Sequence, residues 1–401
     1  MSMTLDARPK AAAPDVGAEL LAKVRALAPS LAARSAEFEA ARRIPPDVVE
    51  LLKEAGVFRM YAPRSHGGLE LDFPATLQVL IALAAADGAV GWTAMIGTGS
   101  LTFFAKLARP TLDLVFADGP DVIVAGAAAP SGAAEQVDGG YLVNGRWGFA
   151  SGCQNAHWLF SGCVITKGGA PVPGRVEGAP LVRHFVMPAS VWRIEDTWNV
   201  AGLKGTGSHH IGLADVFVPE ANVFDFGGES CLPGPLYPSP LHFVPMMHCA
   251  PAVGIAEGAL ADIVALANTG KRQLFQPGPM RDSPAFQGEL GRVDAEVRAA
   301  RSMTEAQTNR LWERALAGEL AGGELLAEAF QTAAWVTAAC VRAVDACYSL
   351  GGGGALYETS PLQRRLRDIH AATQHTAVQP RQYIAAGAAK LGLASPHPLL
   401  G

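Results

Sequence analysis

The feature that most constrains the fold is a double change of hydrophobic pattern, from helical spacing to short β-prone runs and back again. Up to residue 121, apolar side chains recur at the spacing of amphipathic helices. From Val122 onwards the apolar runs are short and are separated by turn signals such as Asn144-Gly145. Beyond the Pro/Gly-rich stretch 227–245, four long helical patterns return, at 246–268, 284–318, 323–349 and 361–391.

This pattern predicts an α+β chain with three parts: an N-terminal helical domain (1–121), a central β domain (122–226) and a C-terminal helical bundle (227–401). The segments between the predicted strands are too short for crossover helices. We therefore expect an antiparallel sheet rather than a parallel, doubly wound one. A chain of 401 residues exceeds the size at which one hydrophobic core stops growing, which agrees with several packed parts.

Composition and charge exclude several classes of function. The chain has 32 Lys and Arg against 37 Asp and Glu, a net charge of −5, and no basic cluster that would bind nucleic acid. The run 79–86, taken as the most apolar, stops after eight residues, and the N-terminus lacks a signal-peptide pattern, so neither a membrane span nor secretion is expected. Six cysteines without a C-x-x-C pair fit a reducing cytoplasm.

General catalytic motifs are also absent from the sequence. The sequence contains no G-x-G-x-x-G or P-loop glycine pattern, no G-x-S-x-G serine and no H-E-x-x-H pair. His209 and His210 are adjacent and would point to opposite faces of a strand, and no carboxylate lies near His242 or His248 in sequence. We therefore expect no metal site, and we interpret these four residues as ordinary core or surface histidines.

Three segments remain that carry unusual combinations of residues: 141–162, 196–220 and 350–375. The first contains the F-A-S-G motif 149–152, and the third contains a Gly-rich turn followed by Arg367-Asp368. In this order, on a helix–sheet–helix plan, the segments resemble the acyl-CoA dehydrogenase superfamily over nearly the whole chain. The resemblance implies the fold of that family, with an N-terminal α domain, a central antiparallel β domain and a C-terminal four-helix bundle.

The chain departs from the dehydrogenases of this superfamily at one position. Those enzymes carry a glutamate base seven or eight residues beyond the aspartate of the R-D pair, where this chain has His375 and Thr376. No acidic residue follows Asp368, and Glu257 stays open as a base on a different helix. The R-D-x-H-A-x-x-x-H pattern and the F-x-S-G strand are instead similar to the flavin-dependent two-component monooxygenases that share this fold.

This second resemblance implies an activity and its cofactors. The chain would be the oxygenase component, which takes FMNH2 or FADH2 from a separate NAD(P)H:flavin reductase and uses O2 to hydroxylate an aromatic or heteroaromatic small molecule. The reaction would pass through a C4a-hydroperoxyflavin, which is lost as peroxide if water enters the pocket. The family also implies a homotetramer built through the helical bundle. Whether the flavin is FMN or FAD stays open.

The resemblance further implies roles for individual residues. Ser151 would lie near flavin N5 and His375 would face the flavin and the substrate, with His370 as a second catalytic candidate. Trp92 and Ile96 would border the substrate pocket. The expected flavin contacts are Trp147, Phe149, Ser151, Gly152, Trp198, Thr206, Gly207, Ser208, Arg272 and Phe275.

Three other functions stay open at this point. An acyl-CoA dehydrogenase or oxidase with a relocated base would hold oxidised FAD tightly and would be bleached by an acyl-CoA. An N- or S-oxygenase of the same fold would use the same flavin chemistry on a heteroatom. A non-catalytic relative would keep the fold as a binding or assembly module and would bind no flavin.

Overall fold

The computed structural model describes residues 15–176, 178–272, 277–320 and 322–393. Its N-terminal part is helical, with α1 Val16–Ala33, α2 Ser35–Ala41, α3 Pro46–Ala55, α4 Phe73–Ala86, α5 Gly88–Gly99, α6 Leu101–Phe104 and α7 Arg109–Val115. The first strand begins nine residues after this last helix ends, close to the change of pattern in the sequence.

Helix α5 carries a tryptophan into the centre of the molecule. The helix begins where the Asp87 carboxylate accepts hydrogen bonds from two backbone N–H groups of the first turn, which would otherwise lack partners. Gly91 allows close packing on α4, since a Cβ there would lie 2.4 Å from the side chain of Ala84. Every residue of α5 except Ile96 is buried. The position of Trp92 is therefore fixed by packing on most sides.

The central part is one sheet of eight strands: β1 Val124–Val137, β2 Gly140–Trp147, β3 Trp158–Lys167, β4 Ala170–Pro171, β5 Val182–Pro188, β6 Arg193–Glu195, β7 His210–Pro219 and β8 Val223–Phe224. Their order is β6-β7-β2-β1-β3-β5-β8, and β4 pairs with β3. The pairings of these strands are antiparallel except that of β1 with β3, which is parallel. The predicted antiparallel arrangement is wrong at this one pairing, because the segment 148–157 carries the chain from β2 across to the free edge of β1.

The C-terminal part consists of α8 Val244–Asn268, α9 Pro284–Leu316, α10 Gly323–Gly351, α11 Pro361–Ala372 and α12 Gln382–Lys390. The single helix expected over 361–391 is wrong, because the chain breaks between α11 and α12. The hydroxyl of Thr373 donates to the carbonyl of His370 at the end of α11, and Pro380 has no N–H with which to continue a helix. His375 therefore lies in the break, on extended backbone, and not on a helix.

Helix α8 is apolar on nearly all sides and packs against α4, α9, α10 and α11. The stretch Pro240–Asn268 is long and apolar enough to cross a membrane by length and composition alone. In its most apolar segment of 18 residues, 61% is buried inside the protein, as expected for a central core helix. This stretch is longer than the eight-residue run that stood out in the sequence.

An aromatic cluster joins the sheet to the segment after β8. His184 on β5 stacks on Phe224 and Phe226, with ring centroids 5.2 and 3.8 Å away, and its Nε2 lies 3.2 Å from the carbonyl oxygen of Ala128. The residue is 5% exposed, and this burial lowers the pKa of His184 to about 4. His184 is therefore neutral in the folded protein at pH 7.

Acid is expected to destabilise the fold through His184. The unfolded chain takes up a proton on this histidine near pH 6.5, whereas the folded chain takes it up only near pH 4. Lowering the pH through this window therefore favours the unfolded state, by about 2 kcal/mol at pH 5 relative to pH 7.5. We expect the free energy of unfolding, measured with urea, to fall by about 2 kcal/mol more in the wild type than in a His184→Phe variant when the pH is lowered from 7.5 to 5. Equal losses in the two proteins would contradict this role of His184.

Candidate active site

Two tight turns, one before β3 and one before β7, bring predicted flavin-contacting residues together. Phe149 has a φ of +66° and Gly152 a φ of +76°, so the chain doubles back around Ser151. The backbone N–H of Gly152 donates to the carbonyl of Thr206 in the second turn at 2.8 Å. That turn begins at Leu203, which also has a left-handed backbone with φ of +51°. The two turns therefore hold each other in place.

A chain of buried hydroxyl groups connects these turns to Trp92. Nε1 of Trp92 donates to Oγ of Ser151 at 3.1 Å. The hydroxyl oxygens of Ser151 and Ser208 are 2.7 Å apart, and those of Ser208 and Thr206 are also 2.7 Å apart. At the far end, the hydroxyl of Thr206 donates to the carbonyl of Leu203 at 2.8 Å.

The two ends give this chain of hydrogen bonds a direction. The Leu203 carbonyl can only accept, so Thr206 uses its proton there, and Ser208 must then donate to Thr206. The proton of Ser151 consequently goes to Ser208, while one of its lone pairs accepts the N–H of Trp92. Ser151 keeps one acceptor position and has no proton left to donate. It can therefore receive a ligand N–H group.

Two histidine rings lie beside Trp92. The indole meets His248 and His375 edge-on, with ring centroids 5.5 and 5.9 Å away. The two imidazole rings are stacked, with centroids 3.8 Å apart and planes inclined by 16°. Because α8 carries His248 and the break after α11 carries His375, three distant parts of the sequence meet at this point.

Hydrogen bonds to the backbone fix the tautomers of both rings. Nδ1 of His248 donates to the carbonyl of Val244 at 2.8 Å, so the neutral ring has a bare Nε2. Nδ1 of His375 accepts the N–H of Ala377 at 3.2 Å, so the proton of this ring is on Nε2. Burial lowers the pKa of His248 to about 4 and, together with repulsion from His248, holds the pKa of His375 well below its usual value. Both rings are therefore neutral near pH 7.

The Arg-Asp pair of α11 anchors the second turn. Oδ1 of Asp368 accepts the backbone N–H of Leu203 at 2.6 Å. Arg367 donates to the carbonyl of the residue two positions before Leu203, also at 2.6 Å. Gly202 lies so close to α11 that a Cβ there would be 1.9 Å from the Arg367 carbonyl oxygen. Burial, and next the charge of Asp87, raise the pKa of Asp368 to about 7. The pair ties the turn to the C-terminal helices.

The structure brings five of the predicted site residues into one cluster: Trp92, Ser151, Thr206, Ser208 and His375. Gly152 and Gly207 provide positive-φ positions in the two turns. Phe149 is 75% exposed, and its ring meets the half-buried Trp198 edge-on with centroids 6.3 Å apart. Ile96, one turn after the tryptophan on α5, is partly exposed.

Other predicted residues lie elsewhere. The ring of Trp147 is fully buried in the core of the sheet and donates to a carbonyl of β3 at 2.7 Å, so it is not available to a flavin. His370 is exposed on α11 and bonded to Asp345 at 2.8 Å, which does not support the catalytic role expected for it. Arg272 is exposed and donates to a carbonyl of its own loop at 2.6 Å. Phe275 lies outside the described residues.

The structure revises the interpretation of two residues. Glu257 is ion-paired with Arg301 at 2.7 Å between α8 and α9, so its carboxylate is committed to this contact rather than free to act as a relocated base. His248, interpreted from the sequence as an ordinary histidine, belongs to the central cluster. The sequence offered no signal for this, because the predicted helix begins at residue 246, whereas α8 begins at Val244 and so provides the carbonyl one turn before His248.

A flat aromatic ligand with a polar edge fits this arrangement. The rings of Phe149 and Trp198 offer aromatic surface, and Ser151, two residues after Phe149, offers its one acceptor position. His210 meets Phe149 edge-on, and its buried Nδ1 has no partner among the described residues. These side chains could hold the ring system of a flavin, with the flat faces on aromatic rings and the N–H edge at Ser151.

Comparisons with known proteins agree with this interpretation. The N-terminal domain of acyl-CoA dehydrogenases matches residues 18–109, and the C-terminal domain matches residues 246–380. The chain is 32% identical over 381 residues to the flavin-dependent monooxygenase, oxygenase subunit HsaA, of Rhodococcus jostii (strain RHA1), covering 92% of this chain and 98% of that protein. It is 34% identical over 365 residues to the indole-3-acetate monooxygenase of Pseudomonas putida, covering 90% of each chain.

A similar solved structure is that of XiaF from Streptomyces sp. in complex with FADH2 and glycerol, with a TM-score of 0.89 and 26% identity over 96% of this chain and 98% of that chain. This match confirms the predicted helix–sheet–helix fold. The relatives confirm the predicted class of enzyme and its use of reduced flavin. The chain belongs to the acyl-CoA dehydrogenase family, in its group of flavin-dependent monooxygenases that serve as oxygenase components.

Proposed function

We propose that the protein hydroxylates an aromatic or heteroaromatic small molecule with reduced flavin from a separate NAD(P)H:flavin reductase. The observation that carries this proposal is the cluster in which the buried Trp92 joins Ser151 to a pair of histidines. Relatives named as an oxygenase subunit and as an indole-3-acetate monooxygenase support it. Since FADH2 is bound in a similar structure, FADH2 is the first flavin to test and FMNH2 the second.

The side chains of the cluster have distinct tasks in this reaction. A bound reduced flavin would supply the oxygen chemistry, with one atom of O2 going to the substrate and the other to water. Ser151 would accept a hydrogen bond from the N–H at flavin N5, because its hydroxyl chain leaves it only an acceptor position. Phe149 and Trp198 would support the flavin ring. The buried Trp92 and the stacked histidine rings would exclude water from the space next to the substrate.

The contacts of the cluster do not favour the dehydrogenase alternative. Removal of an α-proton from an acyl-CoA needs a base, for which the dehydrogenases use a glutamate. Here the groups around Trp92 are a serine and two histidines of lowered pKa. Glu257 is paired with an arginine. An N- or S-oxygenase would use the same flavin site, and only its product distinguishes it.

Isotope incorporation tests the proposed function. Purified protein is incubated under 18O2 with an NADH:flavin reductase, FAD and a panel of phenols and indoles, and the products are identified by mass spectrometry. We expect one 18O atom on a ring carbon, only when protein, reduced flavin and O2 are all present. Label on nitrogen or sulfur would favour the heteroatom oxygenase. Bleaching of tightly bound FAD by an acyl-CoA, without labelled product, would contradict the proposal.

We further propose a cytoplasmic homotetramer assembled through the C-terminal helices. Helices α10 and α12 are in contact and, with the residues that follow them, carry exposed apolar side chains at Trp335, Tyr383, Ile384, Leu391 and Leu393. Exposed apolar groups of this kind are typical of surfaces between subunits. All six cysteines are free, which supports a reducing compartment.

A further inference from the structure

Two side chains proposed to contact the flavin, those of Ser151 and Trp198, depend on the backbone of Leu203. Its carbonyl accepts the hydroxyl of Thr206 at 2.8 Å, which is the last bond of the hydroxyl chain that leaves Ser151 only an acceptor position. The same carbonyl accepts the Nε1–H of Trp198 at 3.2 Å. A rotation of this one peptide group would therefore release the hydroxyl chain and the indole at the same time.

Leu203 is itself in an unfavourable backbone conformation. Its φ of +51° lies in the left-handed region, which crowds the Cβ of any residue other than glycine. Such a conformation persists only where the surrounding contacts hold it. One of these contacts comes from outside the turn, since the N–H of Leu203 donates to Oδ1 of Asp368 at 2.6 Å. Asp368 is buried, so water does not compete for this bond.

Asp368 also packs against the helix at the other end of the hydroxyl chain. That end is Nε1 of Trp92 on α5, and the first residue of this helix is Gly88. A Cβ on Gly88 would lie 3.1 Å from Oδ2 of Asp368, so the carboxyl group lies directly against the start of α5. One carboxyl group thus contacts both the turn and the helix between which the hydroxyl groups are hydrogen-bonded.

We propose that Asp368 is a positioning residue of the flavin site, which holds Leu203 in its left-handed conformation and so keeps Ser151 and Trp198 in place for the flavin. The proposal rests on the proposed function for the contacts of these two side chains with the flavin. A carboxylate accepts a hydrogen bond about twice as strongly as a neutral group does. The strength of the bond to Leu203 therefore depends on whether Asp368 is ionised.

The surroundings of Asp368 make its charge change near neutral pH. The charged groups that act on it are Asp87 at the start of α5, Glu39 of α2 and Arg367 of its own helix, which is bonded to Glu39 at 2.7 Å. Two further groups of the same helix are bonded to neighbouring helices, Arg365 to Asp262 of α8 and His370 to Asp345 of α10. Burial, and next the charge of Asp87, raise the pKa of Asp368 to about 7. The carboxyl group is therefore protonated below this pH and ionised above it.

Binding of FADH2 by an asparagine variant tests the proposal. Dissociation constants are measured by anaerobic fluorescence titration at about pH 5.5, 7 and 8.5 for the wild type and Asp368→Asn. Asparagine keeps an acceptor oxygen without the charge, so it copies the protonated state of Asp368. We expect equal affinities at the lowest pH and about fivefold weaker binding by the variant at the highest, with the change centred near pH 7. Ionisation of the flavin itself is common to both proteins and cancels in the ratio.

Asp345→Asn is the matched control, because it removes a carboxylate that contacts the same helix on its exposed side, through His370. We expect it to bind FADH2 as the wild type does at each pH. A ratio of the Asp368→Asn and wild-type constants that is the same at every pH overturns the proposal, because a general defect of folding would act equally across this range.

A measurement on the wild type alone does not depend on any variant folding. Deuterated, flavin-free protein is labelled with 15N-leucine, and its amide resonances are followed by NMR over the same pH range. We expect the amide of Leu203 to shift with a midpoint near pH 7, since its acceptor gains a charge there. A protein in which no leucine amide titrates in this range overturns the proposal. Neither measurement needs a substrate or a product, so this proposal and the isotope test can fail separately.

Discussion

Replacing His375 by alanine is expected to lower the rate of product formation by roughly 10²- to 10³-fold, the range contributed by one positioned hydrogen-bond donor. The ring holds its proton at Nε2, where it can donate, and it lies beside Trp92. The variant also removes the ring that stacks on His248, which opens a path for water to Trp92. The measurement is the rate of hydroxylated product at saturating FADH2 and substrate, with NADH consumption recorded separately.

His370→Ala is the control for this experiment. His370 is five residues earlier in the chain, but its side chain is exposed and bonded to Asp345. We expect this variant to keep the wild-type rate, because exposed substitutions away from a site have small effects. Similar losses in both variants, or an unchanged rate in His375→Ala, would exclude His375 from the reaction.

Ser151→Ala is expected to uncouple the reaction, so that more hydrogen peroxide and less product form for each NADH consumed. The variant deletes the acceptor proposed to meet the flavin N–H and leaves Nε1 of Trp92 and the hydroxyl of Ser208 without their partner. Loss of a hydrogen bond to a buried group costs about 1–3 kcal/mol, which corresponds to a change of roughly 5- to 150-fold in the ratio of product to peroxide. Peroxide is quantified by the oxygen that catalase releases.

Ser161→Ala is the matched control for the uncoupling. Ser161 is a fully buried serine of β3, in the same sheet domain but outside the hydroxyl chain. Its replacement tests whether any loss of a buried hydroxyl in this domain disturbs coupling, and we expect wild-type coupling. A Ser151→Ala protein that produces no additional peroxide would refute the flavin-contacting role of Ser151.

The sequence is sufficient to predict the order of helices and strands, because burial of apolar side chains follows the period of each element. The pattern at 284–318, for example, predicts α9 at Pro284–Leu316 to within two residues. The same reasoning cannot fix sheet pairing, and the parallel contact of β1 with β3 was missed. Pairing depends on where a connection crosses the sheet, which hydrophobic spacing does not record.

Within the site, the resemblance identified Ser151 and His375 as candidates, but the sequence could not predict their surroundings. Helical spacing predicted His375 on a helix, whereas a break puts it beside His248. Trp147 carries an aromatic side chain next to the flavin motif in sequence, yet its ring is in the core of the sheet. Tautomers and hydrogen-bond directions depend on partners from distant segments, so only the folded arrangement reveals them.

The contact of Gly202 and Asp368 also limits how this enzyme can be recombined with its relatives. The turn that carries the hydroxyl chain is held by α11 of the C-terminal helices. The backbone N–H of Leu203 donates to Asp368, and Gly202 lies close to Arg367. A chimaera that takes its sheet from one parent and its C-terminal helices from another must take the turn and the Arg-Asp pair of α11 from the same parent. A recombination that separates the turn from this pair would disturb the active site, even if the sheet and the helices each came intact from one parent.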